Sequence, residues 1–529
     1  MREIVRSAHR VLRRLAHRGG AAAATLCAAA LASCSEPTAA PPVPVDADAI
    51  RTHLATLTAA EGQGAGAGDR GEALATKYVA DTFRSAQLTT SLQRIPFVKI
   101  KSKPVALTVS GGGWTRAPAF GTDFVAWTRQ PREAISVDAP IVFAGFGIVA
   151  PEFKWNDYKD LDVAGKVVLV LDSDPHNGDR DEFGTLGEIW YSQSSYKFHE
   201  AARHGAAAVF LIHDPQQAGS DWDEIRESMG GETLAIDAVD RGGPPIAPVE
   251  GWLTAAAAAQ LFQAAGIDFD QQNAHAHETN FKPVAFDARA SIAIASALTS
   301  ITSTNVLGVI KGQTSEYVIV SSRWNRISAI ATPAGVADAS ADDDGSGAAT
   351  LLETARALAR GPAPRRSVVF LITTAEREGL VGLEYYAEHP VFPADKTIAQ
   401  VFVDGADLYS ESRHLRTIGP AFSGLSDIVR QVGSPQGRRL DVEHDSDRLF
   451  YFKGSQAAFS EHAIPEIYVT MAAMPLPAGQ APPASRTPRV FNATGAIRNV
   501  DLLFNLISTV AGATNWPVLR KPGSGATSR

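Results

Sequence analysis

Apolar and polar positions change rhythm along the chain. EYVIVSS (316–322), SVVFLITT (367–374) and IAQVFVD (398–404) are short, nearly unbroken apolar runs. Runs of this kind are strands buried on both faces of a sheet. Between the first two, GSGAATLLETARALARG (345–361) sets Ala348, Leu351, Leu352, Ala355 and Leu358 on one helical stripe and closes on Gly361, a residue suited to ending a helix. This βαβ rhythm predicts an α/β fold with a mixed sheet sandwiched by helices. Upstream, helical patterns cover roughly 48–60 and 71–86, on either side of a glycine-rich turn from Gly62 to Gly71. The stretch 130–290 has another texture. PIVFAGFGI (140–148) and GKVVLVLD (165–172) read as strands, followed by a helix at 197–205 and a strand in AAAVFLIHD (206–214). It is expected to be an inserted, mostly β domain.

In open α/β sheets, sites form just beyond the carboxyl ends of the strands. Arg323, Glu376 and Asp404 each sit at such an end, and Asp342-Asp343-Asp344 sits at a helix start. The acidic triplet has two readings at this point: a cap complementing the helix dipole, or part of a metal-type cluster with Glu376 and Asp404. None of the thirteen histidines lies on these strand ends. His204, His213, His389, His414, His444 and His462 lack the pairwise spacing of a zinc motif. No G-x-S-x-G elbow is present, which leaves a serine triad without support.

The first 33 residues form a separate unit. Six arginines between Arg2 and Arg18 precede an apolar run from Ala21 to Leu31, and Leu31-Ala32-Ser33 leads into Cys34. The order is that of a secretory signal, too short to span a bilayer. Its ending resembles a bacterial lipobox, which implies cleavage before Cys34 and lipidation of its thiol. Export to the bacterial envelope follows, with a lipid anchor on the periplasmic or surface side. Residues 34–46 are rich in proline and alanine and read as a tether. Cys27 and Cys34 are the only cysteines, so the mature chain has no internal disulfide and no thiolate metal site. Removing residues 1–33 leaves 43 basic and 56 acidic side chains, moving the formal charge from −8 to −13. Such an acidic chain is a poor nucleic-acid binder. Membrane contact is expected through the lipid alone.

Longer motifs carry a family resemblance. FAGFGIVAPEFKWNDYKDLDVAGKVVLVL (143–171) and YKFHEAARHGAAAVFLIHD (196–214) resemble a protease-associated (PA) domain. TNVLGVIKG (304–312), DDDGSGAATLLETARALA (342–359), VVFLITTAEREGLVGLEYYAEHPVFP (368–393), FSEHAIPEIY (459–468) and SRTPRVFNATGAIRNVDLLFNLISTVAGATNWP (485–517) resemble the catalytic domain of peptidase family M28. Its bacterial members are di-zinc aminopeptidases carrying a PA insertion. The resemblance runs from about 48 to 520 and implies a zinc-exopeptidase-like fold. It divides the chain into a signal peptide (1–33), tether (34–46), first part of the peptidase-like domain (47–130), PA-like insertion (131–290), remainder of the peptidase-like domain (291–520) and tail (521–529).

The resemblance also implies a ligand set, and most of it is replaced. The family holds two zinc ions with a histidine, a bridging aspartate, a glutamate, a second aspartate and a late histidine, beside a glutamate general base. The first histidine's segment corresponds to Arg323-Trp324-Asn325-Arg326, the base to Glu376, the glutamate ligand to Arg377, and the late histidine to Arg486. A further Ser-Asp-His stretch is Gly454-Ser455-Gln456 here. The bridging and second aspartates survive as Asp343 and Asp404. Three guanidiniums would then face three carboxylates where two zinc ions stood. Guanidinium remains protonated and has no lone pair for a metal, while its fork suits carboxylates. The resemblance thus implies a pseudopeptidase that binds a peptide or protein partner and carries no cofactor. Two other readings stay open: an aminopeptidase with a rearranged metal site built on Asp343 and Asp404, and a metal-free hydrolase in the same cleft.

Overall fold

The computed structural model describes residues 44–175, 191, 194–213, 222–229, 232–236, 245–325, 345–375, 381–418, 424–442, 459, 462, 464–472 and 490–517. Helices α1 (Ala47–Glu61) and α2 (Arg70–Ser85) come first, followed by the long strand β1 (Thr89–Gly111). Strands β2 (Trp114–Arg116), β3 (Phe124–Trp127), β4 (Ala134–Phe143), β5 (Val149–Ala150), β6 (Trp155–Asn156) and β7 (Val167–Leu171) precede helix α3 (Ser194–Arg203). Then come β8 (Ala208–His213), α4 (Trp222–Met229), β9 (Glu232–Ile236), β10 (Val249–Thr254), α5 (Ala255–Ala264), α6 (Phe269–Ala276) and the second long strand, β11 (Val284–Ile310). The final third holds β12 (Tyr317–Arg323), α7 (Ser346–Ala359), β13 (Ser367–Thr373), α8 (Val381–Glu388), β14 (Thr397–Ala406), β15 (His414–Ile418), α9 (Leu425–Gly433), β16 (Arg439–Val442), β17 (Glu466–Met471) and α10 (Ala493–Gly512).

All strands but β5 and β6 join one mixed sheet of fifteen, with the order β16-β15-β17-β14-β12-β13-β11-β4-β7-β8-β10-β3 and β1, β2 and β9 alongside. The apolar runs legible in the sequence are its centre. β13 and β17 are buried at every position, and β12, β13, β14 and β17 run parallel. They are covered on one face by α1, α2, α7 and α10, and on the other by α8 and Phe459. Truncating a buried residue such as Phe370 here would cost about 3–5 kcal/mol.

β11 links this half to the other. Its residues Val306–Ile310 pair with β13, and its opposite end pairs with β4 between Val284 and Ala295. β1 runs antiparallel beside it from Thr89↔Val309 to Ser110↔Arg289. β3, β4, β7, β8 and β10 therefore share the sheet through β11, and β9 joins it through β1, while β5 and β6 pair only with each other. The apolar side chains of this half form separate clusters that already include Leu107 and Val109 of β1. β4 alternates between exposed and buried positions before its wholly buried end at Phe143, the pattern of a sheet face left to solvent. The strand expected over 140–148 stops there. Gly145 and Gly147 take φ of +55° and +67°, a turn that a strand residue with a side chain resists.

Candidate functional site

The carboxyl ends of β12, β13 and β14 converge, as the buried strands imply. Arg323 is the last residue of β12, and Asp404 lies near the end of the adjacent parallel β14. The Arg323 guanidinium donates through Nη1 to Asp404 Oδ1; the two side chains are 2% and 16% exposed. Thr470 Oγ1 donates to Asp404 Oδ2 at 3.3 Å. Burial alone would raise the Asp404 pKa. The Arg323 charge, hydrogen bonds from Tyr468 and Arg323, and the more distant Arg416 outweigh it and hold the carboxyl below its ordinary range. Thr470 and Arg416 carry no motif signal, and Tyr468 ends the quoted FSEHAIPEIY run with no spacing rule to mark it. They reach Asp404 because β17 pairs with β14 and β15 pairs with β17.

The start of α7 is pressed against these strand ends. A Cβ on Gly347 would lie 2.7 Å from both Ser322 Oγ and the Val403 carbonyl, so only glycine fits. Ser346 Oγ accepts from Ala406 N at 3.1 Å, and Ser322 Oγ donates to the Val403 carbonyl at 2.7 Å. Trp324 is buried in the core, and Asn325 donates to the Ala65 carbonyl at 3.0 Å.

β13 leads through Thr374 into Ala375, which has a φ of +57°, a conformation that costs a non-glycine residue energy. Two buried side chains hold this exit. Asn305 Oδ1 accepts from Thr374 N at 3.1 Å, while its Nδ2 donates to the Gly382 carbonyl at 2.7 Å and to Gln93 Oε1 at 3.0 Å. Glu72 of α2 accepts from Gly68 N at 2.6 Å, Thr304 N at 2.8 Å and Thr374 Oγ1 at 2.9 Å, and from Ser303 Oγ. The chain on both sides of residues 376–380 is thereby fixed. The role of Asn305 and Glu72 was missed in the sequence: Asn305 stands in the quoted TNVLGVIKG run, but no spacing rule points to it.

Asp343, Glu376, Arg377, Arg486 and Cys34 lie outside the described residues. Among the described residues no three or more His, Cys, Asp or Glu side chains gather as a metal group. Of the implied ligand positions the structure thus places Arg323 and Asp404, and brings them together. That pair does not fit zinc, since one partner cannot ligate and it occupies an oxygen of the other. A cavity of about 380 Å³ beside α2, lined by Asp69, Glu72, Lys77, Leu92 and Thr304 among others, touches Glu72 but neither Arg323 nor Asp404. Among the described residues no helix is long and apolar enough to cross a membrane.

Comparison with known proteins places this fold in a class. Residues 305–490 match the sequence profile of Peptidase family M28. An aminopeptidase from Aneurinibacillus sp. strain AM-1 superposes with a TM-score of 0.50 at 18% identity, covering 90% of this chain and 97% of that one. The zinc aminopeptidase BSAP from Bacillus subtilis gives 0.44 at 18% identity, with coverage of 88% and 95%. A Peptidase M28 precursor from Shewanella amazonensis SB2B gives 0.40 at 14%, with coverage of 90% and 96%. No curated relative matches the sequence. The chain is an α/β protein with a large mixed sheet. Its match to the Peptidase family M28 profile is confined to residues 305–490, about a third of the chain.

Proposed function

We propose that this protein is a non-catalytic member of the aminopeptidase family, a pseudopeptidase that binds peptides or a protein partner at the outer face of the cell. The observation that carries the reading is the contact of Arg323 with Asp404. In a zinc aminopeptidase of this family, metal-activated water is the nucleophile and the metal polarises the scissile carbonyl. Here one ligand position holds a cation and a surviving carboxylate is spent on it. Arg377 and Arg486, aligned by sequence with two further ligand positions, extend the same substitution to three of five. Glu376 as a base without activated water would contribute only about 10²–10⁴-fold. Residues 131–290 are read as the PA-like insertion. Cys34 is read as the lipid attachment site that keeps the chain, free of nucleic acid, at the envelope.

The test is hydrolysis of a panel of aminoacyl chromogenic substrates by the purified protein, with and without added zinc. No turnover above buffer is expected in either case. Turnover abolished by a chelator and restored by zinc would mean that a rearranged metal site works.

A further inference from the structure

On the face of the sheet that carries Asp404 there is a second carboxyl with no cation beside it among the described residues. Glu466 opens β17 and is 1% exposed. Ile467, Val469 and Met471 point into the core under α7 and α10, so strand alternation puts Glu466 on the opposite face with Tyr468 and Thr470. Neither Glu466 Oε1 nor Oε2 has a hydrogen-bond partner, and both are shut off from solvent. Its register partner on the parallel β14 is Gln400. Gln400 Nε2 donates to Ser321 Oγ at 2.5 Å, while its Oε1 is also buried and without a partner.

A carboxylate anion in such a place would be shut off from solvent with no donor among the described residues, beside a neighbouring strand that offers only the lone pairs of Gln400 Oε1, at a cost of several kcal/mol. A neutral acid has one O–H to give, and Gln400 Oε1 is an open acceptor on the neighbouring strand. We propose that Glu466 is kept as a neutral carboxylic acid donating to Gln400 Oε1, a proton-dependent clasp between β17 and β14. The proton tightens the strand pair that carries Tyr468 and Asp404, and its loss loosens it.

Among the described residues the other titratable groups on this face are Tyr468 beside it, Asp404 on β14, Tyr317 and Arg323 on β12, Arg416 on β15, and Tyr386 on α8. None of them acts on Glu466: burial alone raises its pKa, to about 8. The sign follows from linkage. The folded pKa lies above the ordinary carboxyl value of 4.5, so the clasp contributes fully below that pH. Its contribution is lost progressively as pH rises to about 8 and is constant beyond.

Glu466→Gln retains the shape, keeps a donor for Gln400 and cannot titrate. Denaturant unfolding of the full-length protein and of E466Q between pH 5 and 9 tests the proposal. Relative to E466Q, the wild-type folding constant should fall by up to about tenfold per pH unit through this window, levelling off near pH 8. Parallel profiles would overturn the proposal. Should E466Q not fold, infrared spectroscopy of the wild type at pH 6 supplies a second test. A protonated-carboxyl band is expected, and it should shift in Gln400→Met, which removes the acceptor. Asp157, itself raised to about 7 by burial, gives a band of its own, which Asp157→Asn removes. No band surviving in D157N would equally overturn the proposal.

Discussion

Arg323 and Asp404 meet across the adjacent parallel strands β12 and β14, the guanidinium almost wholly buried against the carboxylate. A buried pair of this kind is not a strong net source of stability, but breaking it from one side is costly. Arg323→Met should therefore destabilise the protein by about 3–5 kcal/mol, with Asp404 left unpaired. Asp404→Asn should cost a similar amount, and the double variant less than the sum. Chemical denaturation of the four proteins gives the coupling. Additive losses would mean that the two side chains do not stabilise each other.

The same pair sets behaviour in acid. Asp404's folded pKa lies below its unfolded value, so its contribution is present above the unfolded carboxyl pKa and lost as pH falls through the folded one. Wild type should lose stability more steeply than Asp404→Asn at the acid end of a pH series of melting scans. Equal acid limbs would remove Asp404 from the groups responsible.

Asn305 joins the chain before and after residues 376–380. Asn305→Ala leaves Thr374 N, the Gly382 carbonyl and Gln93 Oε1 without this partner. Each orphaned buried group costs about 1–3 kcal/mol, so the loss of three should be at least about 3 kcal/mol. Hydrogen exchange at the Thr374 amide should accelerate more than exchange at β4 amides. Uniform acceleration would show that Asn305 only supports global stability.

Much of the central sheet was legible because doubly buried strands are apolar over their whole length. The runs at 316–322, 367–374 and 398–404 are β12, β13 and β14, and the helices at 48–60, 71–86 and 345–361 lie within a residue or two of α1, α2 and α7. The long pair β1 and β11 was not read at all. Lys99, Lys101, Lys103 and the run of serines and threonines near residue 300 blur their alternation, and their pairing joins segments about two hundred residues apart. The site was legible to the same depth. Arg323 and Asp404 fall at strand ends that sequence can locate, whereas Tyr468, Thr470 and Arg416 arrive only through the strand order β15-β17-β14.

The expected lipid anchor has its own test. Wild-type protein expressed in bacteria should partition into the detergent phase, and Cys34→Ser should remain unprocessed or be released. Equal partitioning of the two forms would argue against lipidation at Cys34.

The most direct measurement is zinc content together with the thermal response to zinc. Wild type dialysed against micromolar zinc is expected to retain none stoichiometrically and to melt at the same temperature with or without the metal. The triple change Arg323→His, Arg377→Glu, Arg486→His restores the family's ligand types and should gain a zinc-dependent rise in melting temperature. One or two tightly held zinc ions in the wild type, with a rise as large as that of the triple variant, would contradict the account.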